Sequence, residues 1–158
     1  MPSTLIDSTI LGNLVGTEAM RAVFSDDNRT QRYLDVEAAL ARAEARLDII
    51  PKESAAEIER NCHVDRIDMA KLRTQTERAG SPVGGLVHQL GALCAEPHGR
   101  YCHWGATTQD VTDTATVLQM REALVLVDAD LAAIADALAG LALRYRDTPM
   151  AGRSHLQQ

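Results

Sequence analysis

VLQMREALVLVDADLAAIADALAGLALRY, from Val117 to Tyr145, is the stretch whose reading decides the fold. Within it Val117, Met120, Leu124, Val127, Leu131, Ile134, Leu138, Leu141 and Tyr145 follow one another in alternating steps of three and four, an unbroken heptad stripe. No proline interrupts before Pro149. One helix is therefore expected from about Gln109 to Arg146, roughly 55 Å long at the helical rise per residue. A second apolar set, Leu118, Val125, Ala129, Ala132, Ala135 and Ala139, lies off the stripe and gives the helix surface for more than one neighbour. Nothing upstream has comparable length. The expected partners are helices from other subunits, from sequence outside this chain, or from both, so the chain reads as the N-terminal piece of an oligomer.

Composition agrees with an all-α fold. Of 158 residues, 46% are hydrophobic but only 3% aromatic, so the core must be built from Leu, Val, Ile, Ala and Met, the usual stock of packed helices. The net charge of -6 lacks the excess of clustered Lys and Arg that a nucleic-acid surface needs, while leaving room for a local arginine that binds a small anion. Cys62, Cys94 and Cys102 are odd in number and without zinc-ligand spacing, and no Glu-x-x-His pair lies on a helix, so neither a disulfide framework nor a metal site is expected. With no leader-like basic and apolar run and no membrane-length apolar stretch, the expectation is a cytoplasmic protein without membrane contact.

Upstream, residues 1–16 show no sustained period and read as an irregular arm, and Thr17 to Phe24 as a short helix. Ser25-Asp26-Asp27 offers a cap and first-turn acids to a helix running to about Leu47. Its apolar stripe is expected at Tyr33, Val36, Leu40, Ala43 and Leu47, with Arg32, Asp35, Glu37, Arg42, Glu44 and Arg46 on other faces. Lys52 to Cys62 reads as a modest exposed helix after Pro51. Asp65, with Asp68 three residues on, resembles a capping box opening a helix that stops at Gly80. Ser81-Pro82 then resets the chain for Val83, Leu86, Val87, Leu90 and Leu93 at helical spacing. Gly84 and Gly85 have two readings, a plain helix start or a close approach by ligand or backbone. The domain expectation is a helical domain over 1–108 and the start of a long-helix bundle over 109–158.

Two polar groups flank the long helix. The first is His103-Trp104-Gly105-Ala106-Thr107-Thr108-Gln109-Asp110, continuing to Asp113-Thr114; the second is Gly152-Arg153-Ser154-His155-Leu156-Gln157. A helix entrance needs one or two capping side chains, so the surplus of hydroxyls and amides in the first group invites a binding role. At opposite ends of one helix the groups cannot meet within a chain. Antiparallel packing of two subunits would bring one chain's first group beside another's second.

Both groups resemble the first and second signature regions of the fumarase/aspartase superfamily, in the right order and separated by one uninterrupted helix. Phe24-Ser25-Asp26-Asp27-Asn28-Arg29 and Tyr33-Leu34-Asp35-Val36-Glu37-Ala38-Ala39-Leu40 are similar to the branch holding adenylosuccinate lyase and 3-carboxy-cis,cis-muconate cycloisomerase. Ser81-Pro82-Val83, Trp104 and Asp147-Thr148-Pro149-Met150-Ala151-Gly152-Arg153 look most like the bacterial cycloisomerases, whereas His155 stands where those carry Trp and resembles the lyases. The resemblance implies an L-aspartase-like helical fold and a homotetramer whose active sites are shared between subunits. It implies a small polycarboxylate substrate; no cofactor and no metal are expected.

The implied chemistry is addition or elimination beside a carboxylate, through an aci-carboxylate. His155 and Thr108 are the catalytic candidates; His103, Thr107, Gln109, Asp110, Arg153, Ser154 and Gln157 are the binding candidates. Thr107, Thr108 and Gln109 offer fixed donors to a carboxylate whose charge grows in the intermediate. Arg153 adds a charge-assisted bond, and His155 can exchange a proton near neutral pH. The Gly/Ser-rich loop that carries the family's usual serine base is not in this sequence, so the 158-residue chain alone is expected to be inactive. Plainer readings stand beside these. His103 could be a helix-entry side chain satisfied by backbone; Asp110 and Asp113 read as cap residues rather than acids or bases. His63 and His98 are expected in solvent, and His88 is either near the site or structural. The functional readings are a cycloisomerase closing a lactone, a lyase releasing fumarate from a succinylated amine, and a non-catalytic helical oligomerisation module.

Overall fold

A computed structural model describes residues 4–6, 8–152 and 155. Every regular element among them is helical: α1 (Gly12–Val15), α2 (Glu18–Val23), α3 (Asp26–Arg46), α4 (Lys52–Asn61), α5 (Met69–Ala79), α6 (Pro82–Leu93) and α7 (Thr108–Arg144), with 3-10 turns at Val64–Arg66 and His98–Tyr101. Side-chain caps set the starts. Thr17 accepts from the Met20 N–H at 3.2 Å and Ser25 from the Asn28 N–H at 3.2 Å. Asp68 accepts from the Lys71 N–H at 2.9 Å, so Asp68 rather than Asp65 opens α5; Asp65 sits in the 3-10 turn before it. Gly80 closes α5 at φ 74°.

The chain forms two compact units, Met1–Ala123 and Leu124–Gln158, and α7 contributes residues to both. The core of the first unit is one apolar cluster in which Leu34, Ile58, Leu86, Leu90, Val111 and Ala115 are wholly buried. Three expectations need correction here. The face of α3 turned to this core carries Thr30, Tyr33, Leu34, Glu37, Ala38, Ala41, Glu44 and Ala45, while Ala43 and Leu47 are exposed. The small side chains at 38, 41 and 45 let neighbouring helices close on that face, and two glutamates go inside with them. Helix α4 is not an exposed helix, because Ser54, Ala55, Ile58 and Asn61 pack inward against α3 and α6. Nor is the arm wholly irregular. Gly12–Val15 makes one helical turn, held by Arg21 donating to the Gly12 carbonyl at 3.1 Å and to Asn13 Oδ1 at 2.7 Å.

Gly85 is explained by packing. A Cβ there would lie 2.9 Å from Gln75 Cβ, so its bare backbone is what allows α5 to approach α6. The first turns of α7 join the core through Val111, Ala115 and Gln119. Gln119 donates to the Val23 carbonyl at 2.7 Å, Asn28 donates to Glu122 at 3.0 Å, and Arg32 Nε lies 2.8 Å from the same carboxylate. The second unit holds the remaining turns of α7 and the segment after it. All nine stripe residues are exposed, from 39% at Val127 to 59% at Leu138, so the apolar seam is uncovered among the described residues. No helix among them is long and apolar enough to cross a membrane.

Candidate functional site

The first polar group is held in a turn that ends where α7 begins. His103 and Gly105 both have left-handed backbone, at φ 57° and 70°. Gly105 adopts this without strain, whereas His103 does so against the preference of a residue with a Cβ. The turn sends the His103 ring back toward α3, where Nδ1 lies 2.6 Å from Glu37 Oε1. The ring is 18% exposed and the Glu37 side chain 1%. His103 is therefore not satisfied by backbone at a helix entrance; its partner is a buried carboxylate.

Burial pushes the Glu37 carboxyl above the ordinary carboxylate range, and the His103 hydrogen bond only partly opposes it. The other oxygen, Oε2, is buried with no hydrogen-bond partner among the described residues. Glu44, seven residues on and on the same face, has an unpartnered buried Oε2 as well, and its carboxyl is raised by burial and then by the charge of Glu37. Cys62 lies close enough to feel that charge. Burial first, and Glu37 next, push its thiol up to about 12, so it stays protonated at neutral pH.

Thr107 to Asp110 occupy the entrance to α7 and are all exposed. Asp110 Oδ2 accepts from the Thr107 N–H at 2.9 Å, the reach-back half of a capping box that fixes the first turn. Gln109 donates to Asp113 Oδ2 at 3.2 Å. The hydroxyls of Thr107 and Thr108 make no hydrogen bond among the described residues, leaving two donors free at the positive end of a 37-residue helix. His103, Thr107, Thr108, Gln109 and Asp110 thus share one short segment, the His103 ring turned to α3 and the other four side chains exposed. In the second group, His155 belongs to the second unit and is exposed, while Arg153, Ser154 and Gln157 lie outside the described residues.

His98 corrects another expectation. It is half-buried, with Nδ1 2.9 Å from the wholly buried Ser54 hydroxyl, and so pins the 98–101 turn to α4. His63 and His88 are exposed. A cleft of about 710 Å³ lined by Arg29, Tyr33, Met69, Arg73, Thr76 and Pro82 holds none of the candidate residues. Its two arginines are already paired, with Asp26 and Glu77. Glu37 is the residue that sequence reasoning missed, and its signal was there. It sits at helical spacing from Leu34, Ala38, Ala41 and Ala45, an acid in the middle of an apolar face.

The model of a family described as lyase matches residues 14–158, and the chain belongs to that family, the fumarase/aspartase superfamily. Trans-aconitate decarboxylase 1 of Mycosarcoma maydis is 49% identical over 158 residues, 100% of this chain and 32% of that protein. The 3-carboxy-cis,cis-muconate cycloisomerase of Pseudomonas putida is 48% identical over 142 residues, 88% of this chain and 34% of that protein. The crystal structure of a fumarate lyase from Mesorhizobium sp. BNC1 matches with a TM-score of 0.84 at 50% identity, over 88% of this chain and 33% of that one. The chain thus spans about a third of the length of these relatives, whose names differ from one another.

Proposed function

We propose that the protein to which this chain belongs is a cycloisomerase-like enzyme acting on a tricarboxylic muconate. The observation that carries this reading is His103, backed by buried Glu37, followed four and five residues on by the unengaged hydroxyls of Thr107 and Thr108 at the start of α7. Those donors suit a carboxylate that gains negative charge during reaction. A carboxylate oxygen of the substrate adds to one alkene carbon, forming the ring C–O bond. The alkene electron pair moves onto the neighbouring carboxylate as an aci-carboxylate, and the alpha carbon then takes a proton. The substrate anion takes up that one proton, which balances the carboxylate charge consumed in the new C–O bond, and loses nothing. Thr107, Thr108 and Gln109, with Arg153 of another subunit, hold the dianion; His155 supplies or accepts the mobile proton. The arrangement calls for a homo-oligomer, a tetramer in this reading, whose long helices cover one another's stripes.

A second reading, elimination of fumarate from a succinylated amine, is favoured by one residue: His155 stands where the bacterial cycloisomerases are expected to have Trp. Protein expressed from the complete reading frame separates the two. Loss of the ultraviolet absorbance of 3-carboxy-cis,cis-muconate, with no fumarate released from adenylosuccinate, is the expected result. Fumarate release without muconate loss would install the second reading. A third possibility, carbon dioxide released from a tricarboxylate without lactone formation, would overturn both.

A further inference from the structure

We propose that Glu37 is a positioning residue, which holds the His103 ring by Nδ1 and secures a proton on Nε2, so that His103 meets a substrate carboxylate as a hydrogen-bond donor. This rests on the reading that the site takes polycarboxylates. At 2.6 Å a proton must lie between Glu37 Oε1 and His103 Nδ1, because two bare lone pairs would repel at that distance. Nε2 is then the free ring nitrogen, with no partner among the described residues.

Two proton counts are open to the pair. With one proton, shared at Nδ1, Nε2 presents a lone pair and the buried pair keeps a net negative charge. With two, Nε2 carries a hydrogen whether the inner proton rests on the carboxyl or the ring. The surroundings favour two. Glu37 is almost wholly enclosed, and apart from the ring and backbone N–H of His103 it has no donor to stabilise a charge. Glu44, on the same helix face, adds repulsion rather than relief, and the thiols of Cys62 and Cys102, which feel the charge of Glu37, bring no cation. The left-handed His103 backbone fixes the ring in this pocket at a cost in strain, which is the kind of outlier that marks a constrained functional side chain. A neutral histidine without a partner exchanges between tautomers, whereas one leaning on a buried carboxyl is already set.

The test is calorimetric binding of tricarballylate, a saturated and unreactive tricarboxylate, between about pH 6 and about pH 9, on protein expressed from the complete reading frame. Wild type should bind well at the acid end and weaken as the pair loses its second proton. Glu37→Gln removes the carboxyl that holds the second proton on the pair, so affinity should fall about tenfold at the alkaline end and little at the acid end. In a His103→Asn background the same change should have no further effect. Equal weakening at every pH, or an undiminished Glu37→Gln effect without His103, would overturn the proposal. If wild type does not bind tricarballylate, the polycarboxylate reading fails. The placement of the proton is then decided by neutron diffraction of the wild type, which also serves if Glu37→Gln does not fold. Deuterium on His103 Nε2 at neutral pH supports the role of Glu37, and a bare Nε2 with the Nδ1 bond intact refutes it.

Discussion

Two residues outside the Glu37 and His103 pair show how the turn before α7 and the end of α6 are held. Gly105 sits at φ 70° with open space where a Cβ would be, so only backbone strain opposes a side chain there. Gly105→Ala should cost about 1–2 kcal/mol in urea unfolding, with no clash to relieve. Glu57 accepts from the Ala95 N–H at 3.0 Å, and that bond, together with Arg60 beside it, holds its carboxyl down at about 2. Because this lies below the unfolded value, the stabilisation is complete above the ordinary carboxylate range and is lost as the pH falls toward about 2. Glu57→Gln should therefore lower the melting temperature near neutral pH and leave it unchanged at the acid end of that window. Neither role was legible in the sequence. Glu57 looked like one more acid on a surface helix, since nothing local says that the chain returns at Ala95. His103 was legible as a chemical residue but not as a paired one, because its partner is 66 positions away.

At the scale of elements, the starts and stops were the most legible features, for they depend on neighbours in sequence. Ser25, Ser81, Pro82 and Gly80 all act where their chemistry places them. The exception, Asp68 in place of Asp65, arose because two acids three residues apart satisfy the same pattern, and only the chain path chooses between them. Faces were harder to read. The α3 stripe was misplaced because alanines and buried glutamates look like surface when hydrophobicity alone is counted, whereas tight packing wanted small side chains there. The capping box of α7 belongs to this scale. Asp110→Ala removes the acceptor of the Thr107 N–H and should cost about 1 kcal/mol in thermal unfolding. That loss should appear even in protein with no ligand bound, which separates the cap from any contact that Asp110 makes with substrate.

For the whole molecule, the long helix and its exposed seam were readable from the heptad pattern, while what covers the seam was not, since no described residue packs on it. The exposed stripe from Val117 to Tyr145 is far more apolar than a solvated helix face tolerates. Sedimentation of the 158-residue chain should show self-association that Leu131→Asp together with Leu138→Asp abolishes, while the same protein turns over neither muconate nor adenylosuccinate. The placement of α7 also bears on the order in which the molecule is made. Every member of the apolar core lies between Tyr33 and Ala115, and the bonds from Gln119 and Glu122 fasten the first turns of α7 to α2 and α3 without using the seam. Folding of that core is thus expected as a first-order event of one chain, and, if the proposed oligomer forms, covering of the seam as a second-order one. Refolding followed at several dilutions should show a fast phase indifferent to concentration and a later one that slows on dilution.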